Sequence, residues 1–414
     1  MTAGARPDLP RRPLARLSII IVSRHRPARL ASCLTALSQQ NHPEFEIILV
    51  ADPASLAVRP DLALKRIPFD EANISAARNA GIAAAAGEVI AFIDDDALAV
   101  PSWAGRLAAA FADPEVVAAT GTTRGPDGFR WQVRAERIGR DGLAYPLDVA
   151  GPVSLAPKAG DPVSTIGTNC AFRATALRAI GGFDPAFRYH LDESDVNRRM
   201  AARFPEALTA ILPAAEVVHG AAAGPSRASS GVPSDLRQIG RSTALFIRRS
   251  GGTMPDLVAI QRKRLLRLMV AGRLDPFALG PLLAGLEQGL ADGQAEDLPP
   301  APAGALPENG TPFLRFAGDF PPADPVVLSG WQWRAGALRQ EAARHLAGGR
   351  VSCLILWSPT GLRPRLRLAS GGWWELQCGR WALAGRAFRG QGDLPLARSA
   401  HLAISCRLSS GLRD

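Results

Sequence analysis

The chain has 414 residues, 47% of them hydrophobic, which suits two or three domains with substantial cores and excludes a disordered chain. Its 48 Lys and Arg against 38 Asp and Glu leave a formal charge of +10, and every cation except Lys65, Lys158 and Lys263 is Arg. The apolar run Leu17 to Val22 is far shorter than the roughly 18 residues of a membrane span, and no cleavage pattern follows it, so a transmembrane anchor and secretion are both disfavoured.

The charge is uneven. Residues 1–250 carry 29 cations and 25 anions, whereas residues 351–414 carry nine against three. Such an excess can meet nucleic acid, an anionic membrane or a phosphorylated substrate, and sign alone does not choose. The five cysteines (Cys33, Cys170, Cys353, Cys378, Cys406) show no CxxC spacing. Neither a disulfide framework nor a zinc knuckle is indicated, and a reducing cytosol is the simplest home. Residues 1–16, with three prolines and four arginines, read as a disordered leader.

LSIIIVS at 17–23 is expected as a strand, and Pro27 to Leu37 as a helix from the spacing of Leu30, Cys33, Leu34 and Leu37. EFEIILVAD at 44–52 is a second strand. Asn73 is placed to cap an Ala-rich helix through Ala86 that Gly87 ends, and EVIAFIDDD at 88–96 is a third strand. Nearly all-apolar strands alternating with helices predict a parallel sheet covered on both faces, with ligands bound beyond the carboxyl ends of its strands. A helix at 103–111, a short strand at 116–120 and an irregular stretch to about 162 follow. TNCAFRATALRAIGGFD at 168–184 reads as strand, helix and a Gly-Gly stop. A helix near Glu193 and a strand near Val217 complete a unit spanning 17–250. Residues 251–298 read as a helical extension with a basic face (Arg262, Lys263, Arg264, Arg267) and a break at Asp275-Pro276. Residues 299–325, with eight prolines in 27 positions, have a linker composition. A small α/β segment fills 326–414.

Three consecutive carboxylates at a strand end, Asp94, Asp95 and Asp96, repel one another unless a cation relieves them. Oxygen ligation favours Mg²⁺ or Mn²⁺, ions that bridge carboxylates to substrate phosphates; a solvated acidic turn is the plainer account. In the second cluster, Asp192, Glu193 and Asp195, Glu193 can take a proton from an attacking hydroxyl, or the group can simply cap a helix. His219 ends an apolar stretch as a further metal ligand or a structural residue. Asp52 can accept from a nucleobase or cap a turn, and Arg78 and Asn79 can face a diphosphate or solvent. Neither GxGxxG nor GxxxxGK[ST] is present, which disfavours a dinucleotide oxidoreductase and a P-loop ATPase.

The order of these motifs is more specific than any one of them. SIIIVSRHRPARLASCLTAL, DPAS at 52–55, NISAARNAGIAAAAGEVIAFIDDD, GTNCAFRATALRAIGGFD, LDESDVNRRM and His219 together resemble the family 2 glycosyltransferases over about 17–250. The resemblance implies a GT-A fold, Rossmann-like α/β, that binds a nucleotide-diphosphate sugar and inverts the anomeric centre with Mn²⁺ or Mg²⁺. It implies Ser23 and Asp52 at the nucleotide base and Arg78 near the diphosphate or base, with Arg26 and Asn169 among the donor-binding residues. Asp94 and Asp96 form its Asp-x-Asp element, Asp95 lies near the ribose, and Asp96 is the direct metal ligand. Glu193, supported by Asp192, takes the general-base position, and His219 that of a late metal ligand. Two departures stand out. Ser23-Arg24-His25-Arg26 replaces the familiar aromatic-containing opening, and the base is Glu where many relatives have Asp.

The expected activity is metal-assisted sugar transfer to a glycan or lipid-linked acceptor, in polysaccharide or glycolipid synthesis. The expected place is the cytoplasm, with peripheral contact to an anionic inner membrane face through the basic helix at 261–267, and without a nucleic-acid partner. The rivals are a silent GT-A-like scaffold and a related nucleotidyltransferase. WQWR at 331–334 and GGWWE at 371–375 suggest sugar stacking or, more plainly, buried tryptophans of a small domain.

Overall fold

Seven residues without a charge form β1 (Leu17–Ser23), and β2 (Phe45–Ala51), apolar apart from Glu46, the short β3 (Lys65–Pro68) and β4 (Val89–Asp94) join it. The computed structural model describes residues 14–220, 224, 228, 231–307, 310–318, 320 and 325–379. β1 runs parallel to β2 on one side and β4 on the other, with Ser23 opposite Ala51 and Val22 opposite Asp94. The register therefore brings the carboxyl ends of three strands to one level, where ligands of such sheets bind.

The strands read as continuous apolar runs because both faces are covered. Leu17, Ile19 and Ile21 pack under α1 (Pro27–Leu37), whose Leu30, Cys33, Leu34 and Leu37 are fully buried. Ile20 faces the opposite core with Ile48, Ile82 and Phe92. A single turn, α2 (Pro53–Leu56), follows β2, and α3 (Ile74–Ala84) precedes β4. Asn73 caps α3 as its position predicts, accepting from the Ala76 amide at 3.1 Å. The helix ends two residues earlier than expected, however, and Gly87 serves another purpose: a Cβ there would lie 2.7 Å from the Ser18 amide nitrogen. The glycine is needed for close approach to β1.

Beyond β4 come β5 (Ala97–Ala99), α4 (Trp103–Ala110), β6 (Val116–Arg124), and four short strands inside the stretch expected to be irregular: β7 (Trp131–Val133), β8 (Glu136–Ile138), β9 (Ala144–Pro146) and β10 (Val153–Leu155). Then follow β11 (Cys170–Arg173), α5 (Ala174–Ala179), α6 (Asp192–Arg203) and the long β12 (Leu208–His219). The main sheet has ten strands, ordered β10-β12-β6-β11-β4-β1-β2-β3, with β5 added to β12 and β7 to β6. β11 runs antiparallel to both neighbours, and the remaining central pairings are parallel. The expected α/β class with a mostly parallel sheet is what the chain adopts. Gly181 and Gly182, at φ +78° and +69°, stop α5 as predicted.

Three helices, α7 (Arg237–Ser250), α8 (Leu257–Val270) and α9 (Leu279–Ala295), build a separate apolar core from Leu236, Leu257, Leu265, Leu282 and Leu286. α7 lies so close to α9 that a Cβ on Gly289 would sit 1.9 Å from the Arg237 carbonyl, while its Leu245 and Phe246 pack with Phe187 and Leu191, so α7 ties the helical extension to the main unit.

The Pro-rich stretch is also more than a linker. Phe316 is buried and stacks on Phe45 at 5.1 Å between centroids, and the Leu314 amide donates to Glu46 Oε2 at 2.8 Å. Glu46 is fully buried and ion-paired to Lys65 Nζ at 2.9 Å. The described part of 299–325 is thus a strap held on the main sheet.

The C-terminal unit contains β13 (Val326–Trp331), α10 (Ala335–Ala347), β14 (Ser352–Ser358), β15 (Arg365–Leu368) and β16 (Trp374–Gly379), in the sheet order β13-β14-β16-β15. Its Cys353, Ile355, Trp374 and Leu376 share the core that α1 covers, and Trp374 Nε1 donates to Gln39 Oε1 at 3.0 Å. Trp374 is the buried tryptophan of the plainer account. Trp331 and Trp333 correct it, being 39% and 69% exposed and stacked on each other at 5.0 Å. Most of the expected leader and the basic residues beyond 379 lie outside the described residues.

Candidate active site

The aligned strand ends and the return of β12 assemble one acidic centre. β12 pairs with β5 immediately after the aspartate triplet, His219 opposite Ala97, and this places the imidazole over Asp94 and Asp96. His219 Nε2 lies 3.1 Å from Asp96 Oδ1 and 3.8 Å from Asp94 Oδ2. One ligand atom from each of the three residues falls within a 4.8 Å set. On the far side of the ring, His219 Nδ1 is 3.1 Å from Gln132 Oε1. An amide oxygen only accepts, so Nδ1 donates to Gln132 and Nε2 is the ring nitrogen that faces the aspartates.

Asp95, fully buried between the two, points the other way. Its Oδ2 accepts from Ser23 Oγ at 2.7 Å and pairs with Arg26 Nε at 3.3 Å. Burial pushes its carboxyl up to about 7, Arg26 and Ser23 pull against that, and Asp96 and Asp94 add to it. Asp52 follows β2 at the same level. Its carboxylate accepts from the amides of His25 (2.7 Å), Ala54 (3.1 Å) and Ser55 (3.2 Å). Burial opposes its charge, yet Ser55 and the His25 amide hold it down at about 2. The turn-capping geometry is therefore present at Asp52, and through His25, at φ +58°, it shapes the loop that carries Arg26.

The second acidic cluster reaches the first through one side chain. Arg78, on α3 and only 3% exposed, pairs with Asp192 Oδ2 through Nη1, while its Nη2 lies 3.5 Å from Asp94 Oδ1 and donates to the Gly167 carbonyl at 3.2 Å. Burial works against its charge, and Asp192, Asp94 and Glu193 more than offset it, so its pKa is raised. Asp192 and Glu193 open α6 behind Leu191, a buried non-glycine residue at φ +62°. Such strain is sustained where surrounding structure demands it. Burial first, then the Glu193 charge, raises Asp192, whereas Glu193 is lowered against burial by its hydrogen bond to Asp192 and by Arg78. Half-buried Glu193 is thus held on the acidic side beside the Arg78–Asp192 pair.

Some expected residues take other duties. The Asn169 side chain is engaged in the interior, accepting from Trp103 Nε1 at 2.8 Å and donating to the Thr122 and Ala215 carbonyls at 2.9 Å each. Asn79 likewise pins the Phe183 backbone. Asp195 is bound to Arg199 at 2.7 Å, one helical turn on. Two residues escaped sequence reasoning. Gln132 belongs to a three-residue strand with no periodicity to reveal it, and Gly167 is legible only as a glycine, although a Cβ there would lie 3.0 Å from Arg78 Nη2 and 3.4 Å from Glu193 Cδ. A cavity of about 310 Å³ lined by Trp131, Arg134, Leu147 and Glu216 shares no residue with the acid–histidine cluster.

The cluster suits a divalent cation. Asp96 and His219 are 6% and 8% exposed, so the carboxylate charges are costly without a positive partner. Two carboxylate oxygens with one imidazole nitrogen make a mixed donor set, open to Mn²⁺ and less natural for Mg²⁺, which prefers oxygen and water.

Comparison with known proteins gives the context for this geometry. Residues 18–181 match the family model described as Glycosyl transferase family 2. The uncharacterized glycosyltransferase YwdF of Bacillus subtilis (strain 168) is 31% identical over 99 residues, which cover 22% of this chain and 37% of the relative. The chain thus spans little more than a third of that protein. Among solved structures, a Pyrobaculum calidifontis mannosyltransferase in complex with GDP-Man and Mn²⁺ aligns at 20% identity and TM-score 0.40, covering 69% of this chain and 77% of that one. S. aureus TarS aligns at 16% identity and TM-score 0.41, covering 68% and 81%. Superposition at that level is too loose to carry chemistry over to this chain.

Proposed function

On the premise that residues 18–181 form a glycosyl transferase family 2 domain, we propose that this chain moves a sugar from a nucleotide-diphosphate donor to a hydroxyl acceptor in one inverting, metal-assisted displacement. The observation that carries this reading is Arg78, whose single guanidinium spans Asp94 and Asp192. It makes the Asp94–Asp96–His219 cluster and the Asp192–Glu193 pair parts of one site.

In this reading Ser23, Arg26 and Asp95 line the nucleoside side, Asp52 sets the loop beside them, and Arg78 neutralises the carboxylates between donor and acceptor. The chemistry that a divalent ion supplies at Asp94, Asp96 and His219 is charge neutralisation of the departing nucleoside diphosphate. Glu193, ionised and half-buried, accepts the proton of the acceptor hydroxyl as that oxygen attacks C1. Asp192, held by Arg78, positions Glu193. Gly167 leaves room for both. The acceptor is a glycan or a lipid-linked sugar of a cell-surface polysaccharide or glycolipid, and the reaction faces the cytosol. Cys33, Cys170 and Cys378, free and buried, support a reducing compartment.

The test is nucleoside diphosphate release from a panel of UDP-, GDP- and dTDP-sugars with Mn²⁺, Mg²⁺ or EDTA, with donor binding followed in parallel. Metal-dependent release from one donor, reduced roughly a thousandfold in Asp96→Ala and about a hundred- to ten-thousandfold in Glu193→Gln, is the expected result. A protein that binds no donor with metal present defeats the proposal. Product stereochemistry by NMR checks the inversion.

A further inference from the structure

One surface of the helical unit combines a run of cations with exposed apolar side chains. Between Leu257 and Arg273 there is no acidic residue, and five cations, Arg262, Lys263, Arg264, Arg267 and Arg273, occupy the stretch. α8 buries Leu257, Gln261 and Leu265 against its neighbours. At 100° per residue, the opposite arc runs from Arg262 through Leu266, Val270 and Lys263 to Arg267 and Ile260. The apolar members of that arc are well exposed, Ile260 at 40%, Leu266 at 38% and Val270 at 85%, and in the turn beyond it Phe277 is 90% exposed. Cations and large apolar side chains thus share one outward face. A solvated helix has no reason to expose the apolar ones, and the aliphatic Ile260, Leu266 and Val270 offer nucleic-acid bases no ring to stack on.

We propose that the outward face of α8, with Phe277 at its tip, docks peripherally on an anionic lipid bilayer. Phe277 and Val270 enter the headgroup boundary, Ile260 and Leu266 lie along it, and Arg262, Lys263 and Arg267 meet lipid phosphates. No helix among the described residues is long and apolar enough to cross a membrane, so the contact is an interfacial one. The docking does not rest on the proposed transferase function.

The experiment is flotation of the full chain with vesicles of phosphatidylcholine alone and with about one-third phosphatidylglycerol, at low and high salt, without donor or acceptor. Expected is binding to the anionic vesicles only, weakened by salt. Arg262→Gln/Lys263→Gln/Arg267→Gln should lower the partition by roughly a hundredfold, and Phe277→Ser/Val270→Ser by roughly tenfold, with melting curves showing that both remain folded. Absence of binding to anionic vesicles, equal binding by the folded variants, or salt-sensitive binding to RNA without vesicle binding overturns the proposal. Donor turnover, measured separately in solution, reports on the transferase reading alone.

Discussion

The two acidic clusters differ in how their charge is met. At 192–195 each buried aspartate has its own arginine, Arg78 for Asp192 and Arg199 for Asp195. At 94–96 three carboxylates crowd one strand end, with Arg26, one nitrogen of Arg78 and the imidazole of His219 among their described neighbours. An aspartate paired with its own arginine is complete as folded and can position a base. Carboxylates gathered beside an imidazole nitrogen present a set of donor atoms to a cation.

That contrast can be broken at several points. The largest effect is expected on turnover: Asp96→Ala should lose roughly a thousandfold, several kcal/mol of transition-state stabilisation, with little change in melting temperature. Removing Arg78 should do the opposite in kind. Arg78→Met leaves Asp192 buried without its cation, a loss of about 3–5 kcal/mol of stability readable by urea denaturation, and adding Asn at 192 should restore part of it. Equal melting curves for wild type and Arg78→Met would refute the internal-neutralisation account.

A smaller effect separates holding the ring from holding the ion. Gln132→Leu frees the His219 ring and should weaken Mn²⁺ affinity about 10- to 100-fold, with kcat recovered at saturating metal; a kcat loss that metal cannot rescue would place Gln132 elsewhere in the mechanism. The smallest is a pH effect at Asp52. Its folded pKa of about 2 lies below the usual carboxylate value, so its contribution is complete above about pH 4 and lost as pH falls toward 2. Wild type should exceed Asp52→Asn in stability at pH 6, and the two should converge near pH 2.

Much of this was legible along the chain. Apolar strands buried on both faces cannot hide their composition, so β1, β2 and β4 appear where LSIIIVS, FEIILVA and VIAFID stand, and Asn73 and the Gly181–Gly182 pair mark helix ends by local hydrogen bonding and backbone freedom. The aspartate triplet, Glu193 and His219 were candidates for the same reason: carboxylates and a histidine at strand and helix ends are costly residues in conspicuous places. Hidden from sequence were the partners. Nothing local shows that Asn169 turns inward to Trp103, that Gln132 reaches His219 from 87 positions away, or that a Pro-rich stretch lies down on Phe45.

The sequence by itself determined the strands, their order of chemistry-bearing ends and the acidic and basic residue types available, because periodicity, capping and burial act over a few residues. The tertiary structure alone decided which charges meet. Parallel register brought Ser23, Asp52 and Asp94 to one edge, β12 returned His219 to that edge, and Arg78 joined two carboxylate clusters 98 positions apart in sequence from Asp94 to Asp192. Electrostatic pairing depends on distances of a few ångströms through a low-dielectric interior, and those distances are set by packing between elements rather than by position along the chain.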